Sequence, residues 1–195
     1  LFIDQLGYEG PMGRSGRDVA LLLSVQAGGD ARAPLSIAES GEQFAGRLER
    51  DFKGARLGWL GDLGGHLPME RGVLELCRKS FADFEAIGCH IEDTAMGFSA
   101  ERLWDTWRTL RHWMVAGSLG AAYTDPAKRE LLKPEAIWEV ENGLKLSAMD
   151  VFRASAARSD WYRAISQLFE RYDYLLLPSA QLFPFDKSWD WPKKI

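Results

Sequence analysis

Gly54-Ala55-Arg56-Leu57-Gly58-Trp59-Leu60 and Cys89-His90-Ile91-Glu92 are two short stretches with one helical pattern between them. The first reads as a strand over 54–60. Gly61, Gly64 and Gly65 then form a loose turn, and Pro68 suits the first position of a helix. From Met69 to Ile87 the apolar residues Val73, Leu74, Leu76, Cys77, Phe81, Phe84 and Ile87 recur at helical spacing, and Gly88 closes the run. The second stretch reads as another strand. Strand, helix and strand in this order make a βαβ unit, which calls for right-handed parallel pairing. Near the other end, Asp173-Tyr174-Leu175-Leu176-Leu177-Pro178 is a continuous apolar strand of the kind buried in a parallel sheet. The fold class is therefore α/β.

Helices account for most of the rest. Ser15, with Asp18 three residues on, has the form of a capping box and opens a helix over 15–28 whose leucines are expected to be buried. Gly28-Gly29 stops it. Residues 30–52 are polar, with a short amphipathic helix around Phe44, Leu48 and Phe52. Ser99 caps a long helix over 100–123 that carries Leu103, Trp104, Trp107, Leu110, Trp113 and Met114 over a wide arc, so it packs on more than one side. Asp125-Pro126 and Pro134 start two shorter helices. Ser147-Ala148-Met149-Asp150 is a second capping box, opening a helix through Tyr172. Everything after Pro178 is aromatic and irregular. With no repeat, low-complexity tract or linker, residues 1–195 read as a single α/β unit.

Composition narrows the function. The 195 residues are 46% apolar and 27% charged, with a net charge of −4, an ordinary globular mixture without a basic footprint for nucleic acid or an anionic membrane. No apolar run is long enough to span a bilayer. No basic segment followed by an apolar one opens the chain, and the two cysteines, Cys77 and Cys89, fit neither a disulfide framework nor a C-x-x-C motif. A cytoplasmic setting is the resulting expectation. Eight tryptophans in a soluble chain imply either a bulky core or a large apolar pocket.

No catalytic constellation emerges from the residues alone. His66, His90 and His112 share no ligand spacing, so neither a metal nor another cofactor is expected. Cys89 and His90 are adjacent on a strand and point to opposite faces. The glycines at 58, 61, 64 and 65 sit where an anion-binding loop would lie, but their spacing matches neither G-x-G-x-x-G nor a Walker loop. Glu92 with Asp93, and Glu139 with Glu141, read as solvated charges. Ser15 misses the G-x-S-x-G pattern by one residue and reads as a helix cap.

The run Asp4-Gln5-Leu6-Gly7-Tyr8-Glu9-Gly10-Pro11-Met12-Gly13-Arg14-Ser15-Gly16-Arg17-Asp18-Val19-Ala20-Leu21-Leu22-Leu23 resembles the amidase signature family. That family reads Asp-x-x-Gly-x-x-Gly-Pro-Met-Ala-Arg-Thr-Val-x-Asp-x-Ala-x-Leu-Leu at this point. Gly13, Ser15 and Gly16 are mild departures. Gly54–Leu60 is similar to the family's next strand, and Tyr172–Ser179 to its Asp-x-Leu-Leu-x-Pro-Thr strand end. The resemblance implies part of an amidase-signature fold, a mixed β-sheet covered by helices. It also implies hydrolysis or transfer of amides by a Ser nucleophile, a second Ser in a cis peptide and a Lys, with backbone N–H groups holding the oxyanion.

In that family these catalytic parts precede the Gly-Pro-Met run, so no residue of this chain inherits a catalytic role. The expectation is a portion of a longer amidase, inactive by itself, with a short inactive descendant of the family as the other explanation. Its contribution would be the pocket wall, since ligands of open α/β sheets gather beyond the strand carboxyl ends. Ser179, Gln181 and Phe183 on the loop after the last strand are the candidates, with Trp113 (and Trp107) read either as an apolar wall or as core packing. The implied partners are a small-molecule amide and a second copy of the chain in a homodimer. Two alternatives stand beside this reading. One is a protein like the A subunit of a glutamine-dependent amidotransferase. The other is a non-catalytic α/β binding domain docking through its aromatic tail, Phe183 to Trp191.

Overall fold

Leu57, Gly58 and Trp59 are buried in succession, which places their strand in the middle of a sheet with both faces covered. The computed structural model describes residues 6–193. Asp4 and Gln5, at the head of the Gly-Pro-Met run, lie outside them. The chain divides into two compact units, Leu1–Asp51 and Phe52–Ile195, at a point where the sequence shows no linker.

In the first unit, α1 (Gly16–Gln26) begins with the expected box. The Ser15 hydroxyl accepts from the Asp18 N–H at 3.2 Å, and the Asp18 carboxylate accepts from the Ser15 N–H at 3.1 Å. The buried leucines are not observed. Leu21 is 64% exposed and Leu22 43%, while Ala20 is the buried residue of this helix. The amphipathic helix expected around Phe44–Phe52 is only a 3-10 turn at Gly41–Phe44. That turn lies against α1 at the Ser24 carbonyl, and Leu21, Leu22 and Val25 stay exposed.

The second unit is built on three strands, β1 (Arg56–Trp59), β2 (His90–Asp93) and β3 (Tyr174–Leu176), in the order β2-β1-β3. Both pairings are parallel, with Arg56 opposite His90 and Leu57 opposite Tyr174. Gly58 is required at the centre. A Cβ there would lie 2.9 Å from the Thr94 methyl and 3.0 Å from the Tyr172 ring. The long helix expected over Met69–Ile87 is two helices, α2 (Val73–Lys79) and α3 (Phe81–Ala86). Ser80 separates them and turns its hydroxyl back onto the Cys77 carbonyl at 2.7 Å, the local competition with helical bonding that serine favours. Pro68 does not start α2, which begins after Gly72.

Three further helices, α4 (Ala100–Thr124), α6 (Pro134–Gly143) and α7 (Ala148–Phe169), pack together, with the short α5 (Pro126–Arg129) joining the first two. Ser99 and Ser147 cap α4 and α7 as expected. Leu110, Val140, Ala154, Ala157 and Leu168 are buried. At Gly143 the α4–α6 contact leaves no room for a side chain, since a Cβ would stand 2.2 Å from the His112 carbonyl oxygen.

Glu139 corrects the expectation of a solvated charge. It is 9% exposed, and it accepts from Arg111 Nε and pairs with His112 Nδ1, both at 2.5 Å. Trp138 packs edge-on against the same imidazole. Glu141 is also engaged, with the Tyr123 hydroxyl at 3.1 Å and Arg129 at 3.3 Å.

One polar network ties all three strands. The Tyr172 hydroxyl donates to Glu92 at 2.7 Å, and Arg56 and Arg171 approach the same oxygen at 3.3 and 3.6 Å. The Tyr172 hydrogen bond, with the two guanidinium charges, holds the Glu92 carboxyl below the usual carboxylate range. The Asp173 carboxylate accepts from the Arg56 N–H at 2.8 Å, aligning β3 on β1.

Candidate functional site

The carboxyl ends of β1 and β3 lie side by side, joined past the ladder by the Leu60 N–H donating to the Leu176 carbonyl at 2.9 Å. Two loops leave from there. The first, 60–72, is shaped by positive φ at Gly61, Leu63, Gly64, Gly65 and Gly72, and by the Gly65 N–H donating to Asp62 at 2.9 Å. The second is the segment after Pro178 that carries Ser179, Gln181 and Phe183.

These loops are bolted together by three hydrogen bonds. The Glu70 N–H donates to the Gln181 carbonyl at 2.8 Å. The Gln181 side-chain amide donates to the Pro68 carbonyl at 2.8 Å. The Phe183 N–H donates to the Glu70 carboxylate, also at 2.8 Å. The Phe183 ring lies over Gly72, 3.7 Å from where a Cβ would stand. Gly72 has φ of 98°, which a side chain rarely adopts, so glycine serves there both the backbone and the ring. Phe183 is 37% exposed, and Ser179 on the same loop is exposed as well.

The neighbouring strand ends carry charge. Arg78, in the last turn of α2, donates to Asp93 at 2.7 Å and stacks its guanidinium on Trp59 and Phe81 at 5.7 and 5.6 Å. Trp59 and Asp93 are register partners, so this cluster closes the carboxyl end of the β1–β2 pair.

Of the candidates, Ser179, Gln181 and Phe183 share one loop at the strand ends. Trp113 is half-buried on α4, in the helical layer. No side-chain hydrogen bond or ring contact among the described residues joins it to that loop. Trp107 is partly exposed and stacks on Trp104 with ring centroids 4.9 Å apart. Glu70 did not stand out in the sequence and Pro68 stood out only as a helix start, because their partners lie more than a hundred positions away. Among the described residues, no three His, Cys, Asp or Glu side chains gather as a metal site, and no helix is long and apolar enough to cross a membrane. What the loops present is an apolar ring, a hydroxyl and carbonyl groups, the kinds of group that can line a ligand site.

A family model described as Amidase matches residues 4–190. The chain belongs to the amidase family. It is 29% identical over 191 residues to an acylamidase of Rhodococcus erythropolis, covering 93% of this chain and 39% of that protein. It is 28% identical over 95 residues to the A subunit of the glutamyl-tRNA(Gln) amidotransferase of Thioalkalivibrio sulfidiphilus, covering 49% of this chain and 19% of that one. A bacterial aryl acylamidase belonging to the amidase signature enzymes superposes with a TM-score of 0.79 at 23% identity, covering 91% of this chain and 37% of that structure. A 6-aminohexanoate cyclic dimer hydrolase gives a TM-score of 0.63 at 15% identity, covering 82% and 34%. The three strands and their helices are therefore part of an amidase-signature fold. The chain spans about two fifths of the length of the acylamidase.

Proposed function

We propose that this chain forms the scaffold and pocket wall of an amide hydrolase acting on carbon–nitrogen bonds other than peptide bonds. The observation that carries the reading is the match to an acylamidase along 93% of the chain. The Ser–cis-Ser–Lys machinery belongs, on this proposal, to the part of the enzyme that these 195 residues do not span. There the bridging Ser passes the nucleophile's proton to the Lys, the freed oxygen attacks the amide carbon, and backbone N–H groups hold the oxyanion. This chain's share is to position the acyl group. Ser179, Gln181 and Phe183 border the pocket from the β3 loop, and Trp113 supplies apolar surface from α4.

A phosphonate that reacts with activated serines tests this directly. The enzyme carrying this chain together with the catalytic segment should be labelled, and the 195-residue chain alone should not. Labelling of the short chain would place a nucleophile within it and overturn the assignment. Truncating Phe183 and Trp113 to Ala in the intact enzyme tests the wall. Unchanged substrate preference with unchanged stability removes both from the site.

The matches to amidotransferase A subunits favour a second reading, release of ammonia from glutamine for a partner protein. Turnover of simple acyl amides without any partner protein separates the two. A cytoplasmic setting belongs to the same proposal and is supported by Cys77 and Cys89 both being free thiols. A homodimer is a further part of it, checked by sedimentation.

A further inference from the structure

We infer that Glu70 is a positioning residue that sets the Phe183 ring, and through it the acyl preference of the enzyme; the inference rests on the reading that the β3 loop walls the amide site. Glu70 grips the loop at two points: its N–H holds the Gln181 carbonyl, and its carboxylate holds the Phe183 N–H. The two bonds straddle Leu182, so the Gln181–Phe183 segment is held at both ends. The Phe183 ring then has one seat. Its edge at Cε2 and Cζ meets Gly72, where no side chain intervenes, and the residue stays partly exposed. A carboxylate accepting from a backbone N–H is among the stronger single anchors available, and its loss frees the residue that carries the ring.

Among the described residues, the loop that Glu70 belongs to makes no other hydrogen bond to Phe183. Gln181 reaches Pro68 through its own side chain and would keep its half of the loop attached. Removal of the carboxylate therefore releases the Phe183 end alone. The expected signature is a change in which acyl group fits, read mainly in KM, with the chemical step little affected.

The test uses the intact enzyme and the variants Glu70→Ala, Glu70→Asp, Glu70→Gln and Phe183→Ala. Hydrogen exchange at the Phe183 amide should rise about tenfold or more in Glu70→Ala, as expected on losing a charged acceptor. Glu70→Asp, one methylene shorter and the milder change for folding, should raise it severalfold. Glu70→Gln keeps an oxygen acceptor and should stay within a few fold of wild type. The ratio of kcat/KM between a small acetyl amide and a bulky aryl-acyl amide should shift in Glu70→Ala in the same direction as in Phe183→Ala. In the double variant Glu70→Ala with Phe183→Ala, no further shift should appear.

Unchanged exchange in both Glu70→Ala and Glu70→Asp overturns the clamp, as does Glu70→Gln exchanging as fast as Glu70→Ala. An equal shift of the ratio with and without the Phe183 ring overturns the route through Phe183. If the wild-type enzyme cleaves neither amide, the hydrolase reading falls and the selectivity role with it, while the exchange measurements still decide the clamp.

Discussion

Adding one methyl group at Gly143 should unseat α6 from α4. A Cβ at this position would sit 2.2 Å from the His112 carbonyl oxygen and 2.5 Å from the Ala116 Cβ. Both obstacles are backbone or backbone-fixed, so no side chain can swing away and the helices must separate. Overpacking of this kind costs about 1–3 kcal/mol, and the absence of a flexible neighbour puts Gly143→Ala at the upper end. The helix propensity that alanine adds, about 1 kcal/mol in a helix interior, is smaller here because Gly143 is the last residue of α6. The net loss should be about 2 kcal/mol, which lowers Tm by roughly 4–8 °C for a chain of this size. Gly117 in α4 is the internal control, since nothing lies within 4 Å of its added Cβ. Gly117→Ala should be neutral or more stable by up to about 1 kcal/mol. Thermal unfolding followed by circular dichroism measures both variants together. If Gly143→Ala proves as stable as Gly117→Ala, the helices do not approach as closely as described, and the account of this layer is wrong.

Three other outcomes are expected. Glu92 titrates lower in the folded chain than in the unfolded one, so its network adds stability above the ordinary carboxylate pKa and loses it as pH falls through the lowered value. Denaturation midpoints measured from neutral to acidic pH should fall less steeply in Glu92→Gln than in wild type, and a parallel fall would remove Glu92 from the explanation. Ser99→Ala removes the hydroxyl that accepts the Arg102 N–H at 3.1 Å and should destabilise the chain by about 1 kcal/mol in urea titration, whereas no change would mean the cap is idle. Cys89 is buried with its thiol directed at the Phe52 carbonyl, while Cys77 is half-exposed, so mass spectrometry after brief alkylation should find the adduct on Cys77 first.

Local chemistry made much of the fold legible. The Ser-x-x-Asp boxes at Ser15 and Ser147 announce α1 and α7, and the apolar runs at Leu57 and Leu175 announce β1 and β3, because caps and strand burial act within a few residues. The break at Ser80 escaped because helical spacing of apolar residues continues across it, while a single hydroxyl turned onto Cys77 decides the outcome. The exposed leucines of α1 escaped for the opposite reason: periodicity reports which face is apolar, not whether anything covers it. The ion cluster at Glu139 joins α6 to a histidine and an arginine on α4, and acidic neighbours in sequence give no hint of that burial. The candidate loop was half legible. Its place after β3 follows from the strand, but the Glu70 anchor spans 113 positions and leaves no local trace.

The placement of β1 has a consequence for biosynthesis. One of its flanks is filled by β2 soon after it is made, but the other waits for Asp173 and β3, 117 positions later. A ribosome must therefore translate most of the chain while Leu57 and Trp59 still present an unsatisfied edge, a state prone to joining neighbouring nascent chains. Premature stops ahead of Tyr174 should for that reason yield insoluble product more readily than stops shortly after Leu176.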